Sequence, residues 1–402
     1  MSYSKAQIAN LCTLVTSGGT PLTSVPAYYD PKEIPWLKTG EVNYCRIYDT
    51  ESYISKEGLA RSSAKMIPAN SVVVAMYGQG DTAGRVAINK IPLSTNQACC
   101  NLVINHVIAD YEYVYYALCT LYDRLVALKN GGAQPNLNAK KIKAIEIPFP
   151  DLETQRTIAS VLGAYDNLIE NNQKQIKLLE EAAQRLYKEW FVDLRFPGYE
   201  DTPIVDGVPE GWSLSPISDF GEVVTGKTPS TEKKEYYGGN IPFVKIPDMH
   251  GCVYPVITES SLTEAGAKTQ INKFIPRNSI MVSCIATVGL VNIAVERCQT
   301  NQQINSIILS DERDLYYVFS AMKRLKELLE GVGSNGATMT NVNKTKFASL
   351  PVLYPSEELR DSYYSFCKPI FEKIYNLSLS VVGLKKARDR LLPKLMSGEI
   401  EV

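Results

Sequence analysis

The sequence predicts an α+β protein built as an internal repeat. Two similar globular domains are joined by two long helices packed as an antiparallel coiled coil, with the halves related by a pseudo-two-fold axis. Three observations predict this. Short peptides recur in the same order in both halves of the 402-residue chain. Short Val/Ile-rich runs punctuated by Gly, Pro and Asn give way, once in each half, to long segments rich in Leu, Glu, Lys and Asn. Those two segments carry apolar residues at alternating steps of three and four.

The recurring peptides come first, because a repeat missed is a fold misread. Val15–Pro21 (VTSGGTP) faces Val224–Pro229 (VTGKTP), Ile34–Trp36 faces Ile241–Phe243, and Ser94–Gln97 (STNQ) faces Gln299–Gln302 (QTNQ). Gly132–Asn138 faces Ala337–Asn343, and Ile145–Pro150 faces Ser349–Pro355. The offset drifts from 209 to 207 to 205 residues, as small loop insertions require. The expected boundaries are 1–150 for the first globular domain, 151–198 for the central helix, 199–355 for the second globular domain and 356–402 for the C-terminal helix.

Within each globular domain, runs such as SVVVAMYG, RVAINKI, SIMVSCI and NSIILS read as strands, while Tyr111–Lys129 and Leu315–Glu330 read as helices. In the central segment the seam runs through Ile158, Leu162, Tyr165, Ile169, Asn172, Ile176, Leu179, Ala183, Leu186 and Trp190. A second seam in the same phase passes Tyr363, Cys367, Ile370, Ile374, Leu377, Val381, Leu384, Arg388, Leu391 and Leu395. Asn172 interrupts the first as a register-setting polar contact. Gly163 and Asp166 are expected to break the central helix, with Asp166 capping a second piece that runs to Trp190 and spans about 38 Å.

Composition bounds the chemistry. A net charge of −1, with 14 basic against 11 acidic residues in the first 150, leaves a phosphate-binding face to local clustering. Nine scattered cysteines without a C-x-x-C pair read as reduced thiols, and His106 and His250 read as structural or surface residues, so no metal site is expected. The N-terminus has no apolar signal core and no run spans a bilayer, so the expectation is a cytoplasmic protein without a membrane partner. Gly221–Thr228 fits G-x-x-x-x-G-K-[ST], which raises a nucleotide hydrolase using Lys227. Against it, the proline-interrupted lead-in SLSPISDF and the polar PSTEKKEYYGG that follows suit neither the buried strand nor the helix of a phosphate loop, and the repeat partner CTLVTSGGTP lacks the lysine.

Three stretches carry a family resemblance. Ile147–Gly198 (IPFPDLETQRTIASVLGAYDNLIENNQKQIKLLEEAAQRLYKEWFVDLRFPG), VPEGW at Val208–Trp212 and the ending LKKARDRLLPKLMSGEIEV at Leu384–Val402 resemble specificity subunits of type I restriction-modification systems. The resemblance spans essentially the whole chain, except that the first copy lacks the P-E-G-W lead-in. It implies a non-catalytic, DNA-sequence-recognition subunit whose two target-recognition domains each read one half of a bipartite asymmetric target, with the helices setting the spacing. Double-stranded DNA, two methylation subunits and, in the full complex, two restriction subunits are the implied partners, and no small-molecule substrate is. No cofactor is expected on this chain; S-adenosylmethionine in the methylation subunits and ATP with Mg2+ in the restriction subunits are implied for the complex. The absence of [ND]-P-P-[YF] and F-x-G-x-G motifs agrees. A structural scaffold that gathers protein partners on two heads is the competing non-enzymatic reading.

Domains that read different half-sites should share packing residues and differ in readout. On that logic the Thr-Pro, Ile-Pro and Thr-Asn-Gln peptides are turn and packing features. The DNA-binding candidates are then Tyr28, Tyr29, Lys38, Arg61, Lys65, Gln79 and Arg85 in the first domain, with Lys227, Lys233, Lys234, Tyr236, Lys245, Lys268 and Thr287 in the second. Apolar helix positions Leu168, Leu178, Trp190, Phe191, Phe366, Phe371 and Leu392 are candidates for docking partner subunits, as are the segments Glu189–Phe191 and Lys394–Met396.

Overall fold

The computed structural model describes residues 3–128, 136–331 and 341–402. The chain divides into two compact units, Met1–Leu168 with Leu384–Val402, and Ile169–Gly383. Each unit holds one globular head together with part of both long helices.

In the first unit the head is built on a five-stranded sheet. Its order is Cys12–Ser17, Cys99–Ile104, Ser71–Ala75, Val86–Asn89, Cys45–Ile47. Ser71–Ala75 and Val86–Asn89 are buried at every position, which is why they read as apolar runs without alternation. A smaller sheet orders Tyr53–Ile54, Ile34–Leu37, Leu93–Thr95, Met66–Ile67, and its pair Trp36–Leu37 with Ser94–Thr95 is parallel. Lys5–Gln7 pairs with Glu146–Pro148, so the first copy keeps the lead-in strand although it lacks P-E-G-W.

The head of the second unit repeats this plan. Gly221–Thr225, Ile304–Leu309, Ile280–Ser283 and Val291–Ile293 form the main sheet, and Ser260–Leu262, Tyr237–Val244 and Gln299–Thr300 the smaller one. Again one pair, Phe243–Val244 with Gln299–Thr300, is parallel, and Ser213–Pro216 pairs with Pro351–Tyr354 as the lead-in. The copies agree in backbone detail: Asn70 and Asn278 hold φ of 64° and 65°, and Gly84 and Gly289 both hold 94°. Asn138 and Asn343 cap the short helices Ala139–Lys143 and Lys344–Ala348 through their side-chain oxygens. The rest of that recurring peptide pair, 132–135 and 337–340, lies outside the described residues.

The helical stretches after the main sheets differ from expectation in the same way in both heads. Each is two short helices, Tyr111–Cys119 then Tyr122–Ala127, and Leu315–Lys323 then Leu325–Gly331. Leu121 and Arg324 leave the helical range, with ψ of 16° and 17°, and the turn this makes drives Leu125 and Leu325 fully into their cores. Lys129 lies outside the described residues.

The central helix is continuous from Leu152 to Phe191, 40 residues, so the expected break at Gly163 and Asp166 does not occur. Asp166 is not a cap. Its carboxylate accepts from Tyr116 Oη at 2.5 Å and from Arg388 Nη1 at 2.5 Å, partners 50 and 222 positions away. Gly163 serves close approach instead: a Cβ there would meet Arg46 Nη2 at 3.2 Å and Glu112 Oε2 at 3.3 Å. The C-terminal helix, Glu357–Ser397, runs 41 residues through Pro369 and Pro393, although each proline removes one backbone bond.

All the seam positions of both helices are buried or half-buried. In the second unit Asn172 Nδ2 donates to Ser380 Oγ at 3.0 Å, while Tyr187, Trp190 and Phe191 meet Tyr363 with ring centroids 6.3, 5.8 and 5.0 Å apart. Pairing of 172 with 380 and of 190 with 363 makes the two helices antiparallel there. Phe191 also meets Tyr317 at 4.8 Å and Trp212 at 5.9 Å, and Trp212 meets Phe196 at 4.8 Å. The E-W-F and P-E-G-W peptides are therefore the aromatic glue between head and helix in this unit.

Candidate nucleic-acid interface

One rim of each head is built twice from the same parts. In the first, Gly18 packs so closely on the turn after Leu93–Thr95 that a Cβ would lie 2.1 Å from the Thr95 carbonyl oxygen. Gly19 N–H donates to that carbonyl at 2.9 Å, and Asn96 N–H donates to Leu37 O at 2.9 Å, so the turn abuts the end of the strand that leads into Lys38. The Thr20 hydroxyl donates to Gln97 Oε1. Lys38 is exposed, and its Nζ lies 5.3 Å from the ring centre of Trp36, whose indole N–H donates to Gly19 O at 3.0 Å.

The second head repeats the turn contacts, although Phe243 in place of Trp36 offers no indole donor. A Cβ on Gly226 would lie 2.2 Å from Asn301 O, Lys227 N–H donates to Thr300 O at 2.9 Å, and Asn301 N–H donates to Val244 O at 3.1 Å. Thr228 Oγ1 donates to Gln302 Oε1 at 2.6 Å. Even the brace behind the lysine is duplicated. Glu41 accepts from the amides of Lys38 and Glu51, at 3.1 and 2.9 Å, as Asp248 accepts from those of Lys245 and Glu259, both at 2.8 Å. Sequence reasoning missed the pairing of Lys38 with Lys245, although IPWLK and IPFVK display it.

This geometry disposes of the phosphate-loop reading of Gly221–Thr228. Gly226 and Lys227 spend their amides on Ile304 O and Thr300 O, and no helix follows Thr228 before the 3-10 turn at Lys234–Tyr236. A phosphate loop needs free amides at a helix N-terminus. Here the glycine serves strand contact, and Lys227 is an exposed side chain beside Thr228.

Next to each rim a hairpin loop differs between the heads. Between Ser71–Ala75 and Val86–Asn89 the chain passes through Gly78, Gln79 and Gly80 (φ 60°), all exposed, and a Cβ on Gly78 would sit 3.4 Å from Thr39 Oγ1. The second head makes the connection with three fewer residues, placing Ala286 at φ 62° beside exposed Thr287. A non-glycine residue in that region carries backbone strain. Arg85 stands at the foot of the first loop, held by Asp81 at 2.6 Å and Asn43 at 3.1 Å.

The remaining candidates separate by partner. Tyr29 belongs to the packing and is withdrawn as a DNA contact: its hydroxyl donates to Pro21 O at 2.7 Å, as Tyr237 does to Pro229 O at 2.8 Å. Tyr28 and Tyr236 occupy equivalent half-buried turns, where their carbonyls accept from Ser55 and Thr263 amides. Lys65 Nζ donates to Thr16 Oγ1 at 2.9 Å, and Lys233 Nζ donates to Tyr236 Oη at 3.1 Å. Arg61, Lys234 and Lys268 are exposed at the ends of short helical turns. Lys245 reaches Glu259 at 3.4 Å.

Among the helix candidates, Leu168, Leu178 and Phe366 are 51%, 55% and 56% exposed. Phe191 and Phe371 are only 3% and 1% exposed, inside their unit's own core, so they are withdrawn as docking residues. Trp190 packs half-buried on the same core and Leu392 on that of the first unit, where Leu395 and Met396 are buried. Among the described residues no cluster of acidic, His or Cys side chains could hold a metal, and no helix is long and apolar enough to cross a membrane.

The type I restriction modification DNA specificity domain matches residues 3–181 and 209–363. The chain belongs to that family. Among type I specificity subunits, the HindI subunit of Haemophilus influenzae is 32% identical over 342 residues, covering 70% of this chain and 74% of the relative. The MjaIX subunit of Methanocaldococcus jannaschii is 29% identical over 407 residues, covering 96% and 91%. The crystal structure of a type I S subunit from M. genitalium superposes with a TM-score of 0.62 over 98% of this chain and 96% of that one, at 16% identity, which supports the same fold. As a specificity subunit the chain is a recognition component and not a catalyst.

Proposed function

We propose that this specificity subunit reads a bipartite, asymmetric double-stranded DNA target, one half with each head, and that the two long helices set the separation of the halves. The observation that carries the reading is the duplication itself: two heads share turn, strand and brace contacts residue for residue, yet differ in the hairpin beside the shared rim. A protein that reads two different short sequences needs this division, since phosphate contacts position a domain while groove contacts specify it. Gln79 and Thr287, on the two differing hairpins, are the proposed base readers.

Exposed Leu168, Leu178 and Phe366 are proposed to dock two methylation subunits, and the full complex adds two restriction subunits. S-adenosylmethionine then belongs to the methylation subunits and ATP with Mg2+ to the restriction subunits, and the assembly works in the cytoplasm. Mapping methylated bases in cells with and without the gene tests the reading. A two-part motif that vanishes with the chain is expected. An unchanged pattern of methylation would favour the scaffold reading instead.

A further inference from the structure

We infer that the duplicated trio of Thr20, Gln97 and Lys38, and its counterpart Thr228, Gln302 and Lys245, is a DNA-backbone clamp: the same phosphate-binding device used by each head whatever its half-site. The inference rests on the DNA reading above and assigns to the shared rim a role opposite to that of the hairpins.

The argument starts from what these residues do not do. Gln97 and Gln302 are exposed, so the Thr-to-Gln hydrogen bonds bury nothing and add little to stability. Their effect is orientation. Each amide oxygen accepts from a threonine hydroxyl, which fixes the side chain and leaves its NH2 group as a donor, and among the described residues neither amide nitrogen has a protein acceptor. Asn96 and Asn301 lock the turn beneath by accepting, through Oδ1, from the amides of Ala98 and Gln303, both at 3.2 Å. The lysine stands at the adjacent strand end, tied to the same turn by the Asn96-to-Leu37 and Asn301-to-Val244 bonds, and among the described residues Lys245 is held there only by the exposed Glu259 carboxylate at 3.4 Å, a contact a phosphate can replace. A fixed donor beside a cation suits a phosphodiester oxygen. It also suits a ligand common to both halves of a target whose bases differ, because only the backbone is common.

The test uses the complex of this subunit with its methylation subunits and two duplexes, one carrying the methylated target and one unrelated. Gln97→Ala with Gln302→Ala should weaken binding to both duplexes about tenfold, leaving their ratio and the methylated motif unchanged. Thr20→Val with Thr228→Val, which preserves side-chain shape, should give a smaller loss in the same proportion on both. Lys38→Ala with Lys245→Ala should lower the slope of log affinity against log salt by about 0.9 per lysine. Unaltered binding by the glutamine variants overturns the clamp, and so does a changed motif or duplex ratio, which would make these residues base readers. Failure of the unmodified complex to prefer either duplex over buffer would instead overturn the DNA reading on which the clamp stands.

Discussion

Replacing Asp166 by Ala should destabilise the first unit without touching the fold of the second. Asp166 holds Tyr116 Oη and Arg388 Nη1, both at 2.5 Å, and the two charged side chains are 11% and 19% exposed. Removing the carboxylate leaves the buried Tyr116 phenol without its acceptor and Arg388, among the described residues, with only the exposed Asp389 carboxylate at 2.8 Å, a loss of about 3 kcal/mol at the lower end of the range for breaking a buried pair. For a unit of this size, with ~2 to 4 °C per kcal/mol, its melting transition falls by about 6 to 12 °C. The second unit solves the same problem without charges: Phe371, Ala183 and Ser320 stand at the positions equivalent to Asp166, Arg388 and Tyr116, Phe371 packs on Tyr316 with centroids 4.4 Å apart, and the Ser320 hydroxyl lies 3.2 Å from Tyr363 Oη. Removing both charges together, Asp166→Ala with Arg388→Ala, should therefore cost less than the sum of the single changes, with a coupling of about 1 to 3 kcal/mol. Calorimetry or urea unfolding of the four proteins reads this directly. Strictly additive losses, or an Asp166→Ala transition at the unmodified temperature, would refute the claim that the pair holds helix and head together.

Three further outcomes follow from contacts already described. Phe191→Ala should cost the second unit about 3 to 5 kcal/mol by urea unfolding, because the ring fills a pocket between Tyr317, Tyr363 and Trp212. Gly226→Ala should destabilise that unit by about 1 to 3 kcal/mol or more through overpacking, whereas Lys227→Ala should leave its melting temperature unchanged and reveal no lost nucleotide binding by calorimetric titration. Burial pushes the Cys100 thiol up from 9.0 to about 12, and Cys12 likewise, so both should resist a thiol reagent at pH 8 until the unit is unfolded. Because these values are raised in the folded state, their contribution is fully present below pH 9 and is lost as pH rises from 9 towards 12, which alkaline unfolding curves of Cys100→Ala should show as a reduced slope.

The repeat and the two seams were legible because they rest on local rules: turn residues at fixed places and a three-four apolar step. What the sequence hid was partnership across long separations. Asp166 beside Gly163 has the local look of a cap, and only Tyr116 and Arg388 show it to be an ion-pair centre within a continuous helix. Phe191 looks like a spare apolar residue until Trp212 and Tyr317 close around it. The interface suffered from the same blindness in another form. Tyr29 and Lys38 counted as head-specific because their equivalents, Tyr237 and Lys245, sit at offsets of 208 and 207, and matching hydrogen bonds expose the pairing more sharply than matching letters. Conversely, the Thr-Asn-Gln peptide was half understood: Thr95 and Asn96 build the turn, but Gln97 stands in solvent.

The central claim is that each head reads its own half of one DNA target. Exchanging residues 199–355 for the corresponding head of a relative with a different target, then mapping methylated bases in cells that supply the methylation subunits, tests it most directly. One half of the motif should change while the other half and the spacing stay fixed. Replacement of the whole motif, or no change in either half, would contradict the account.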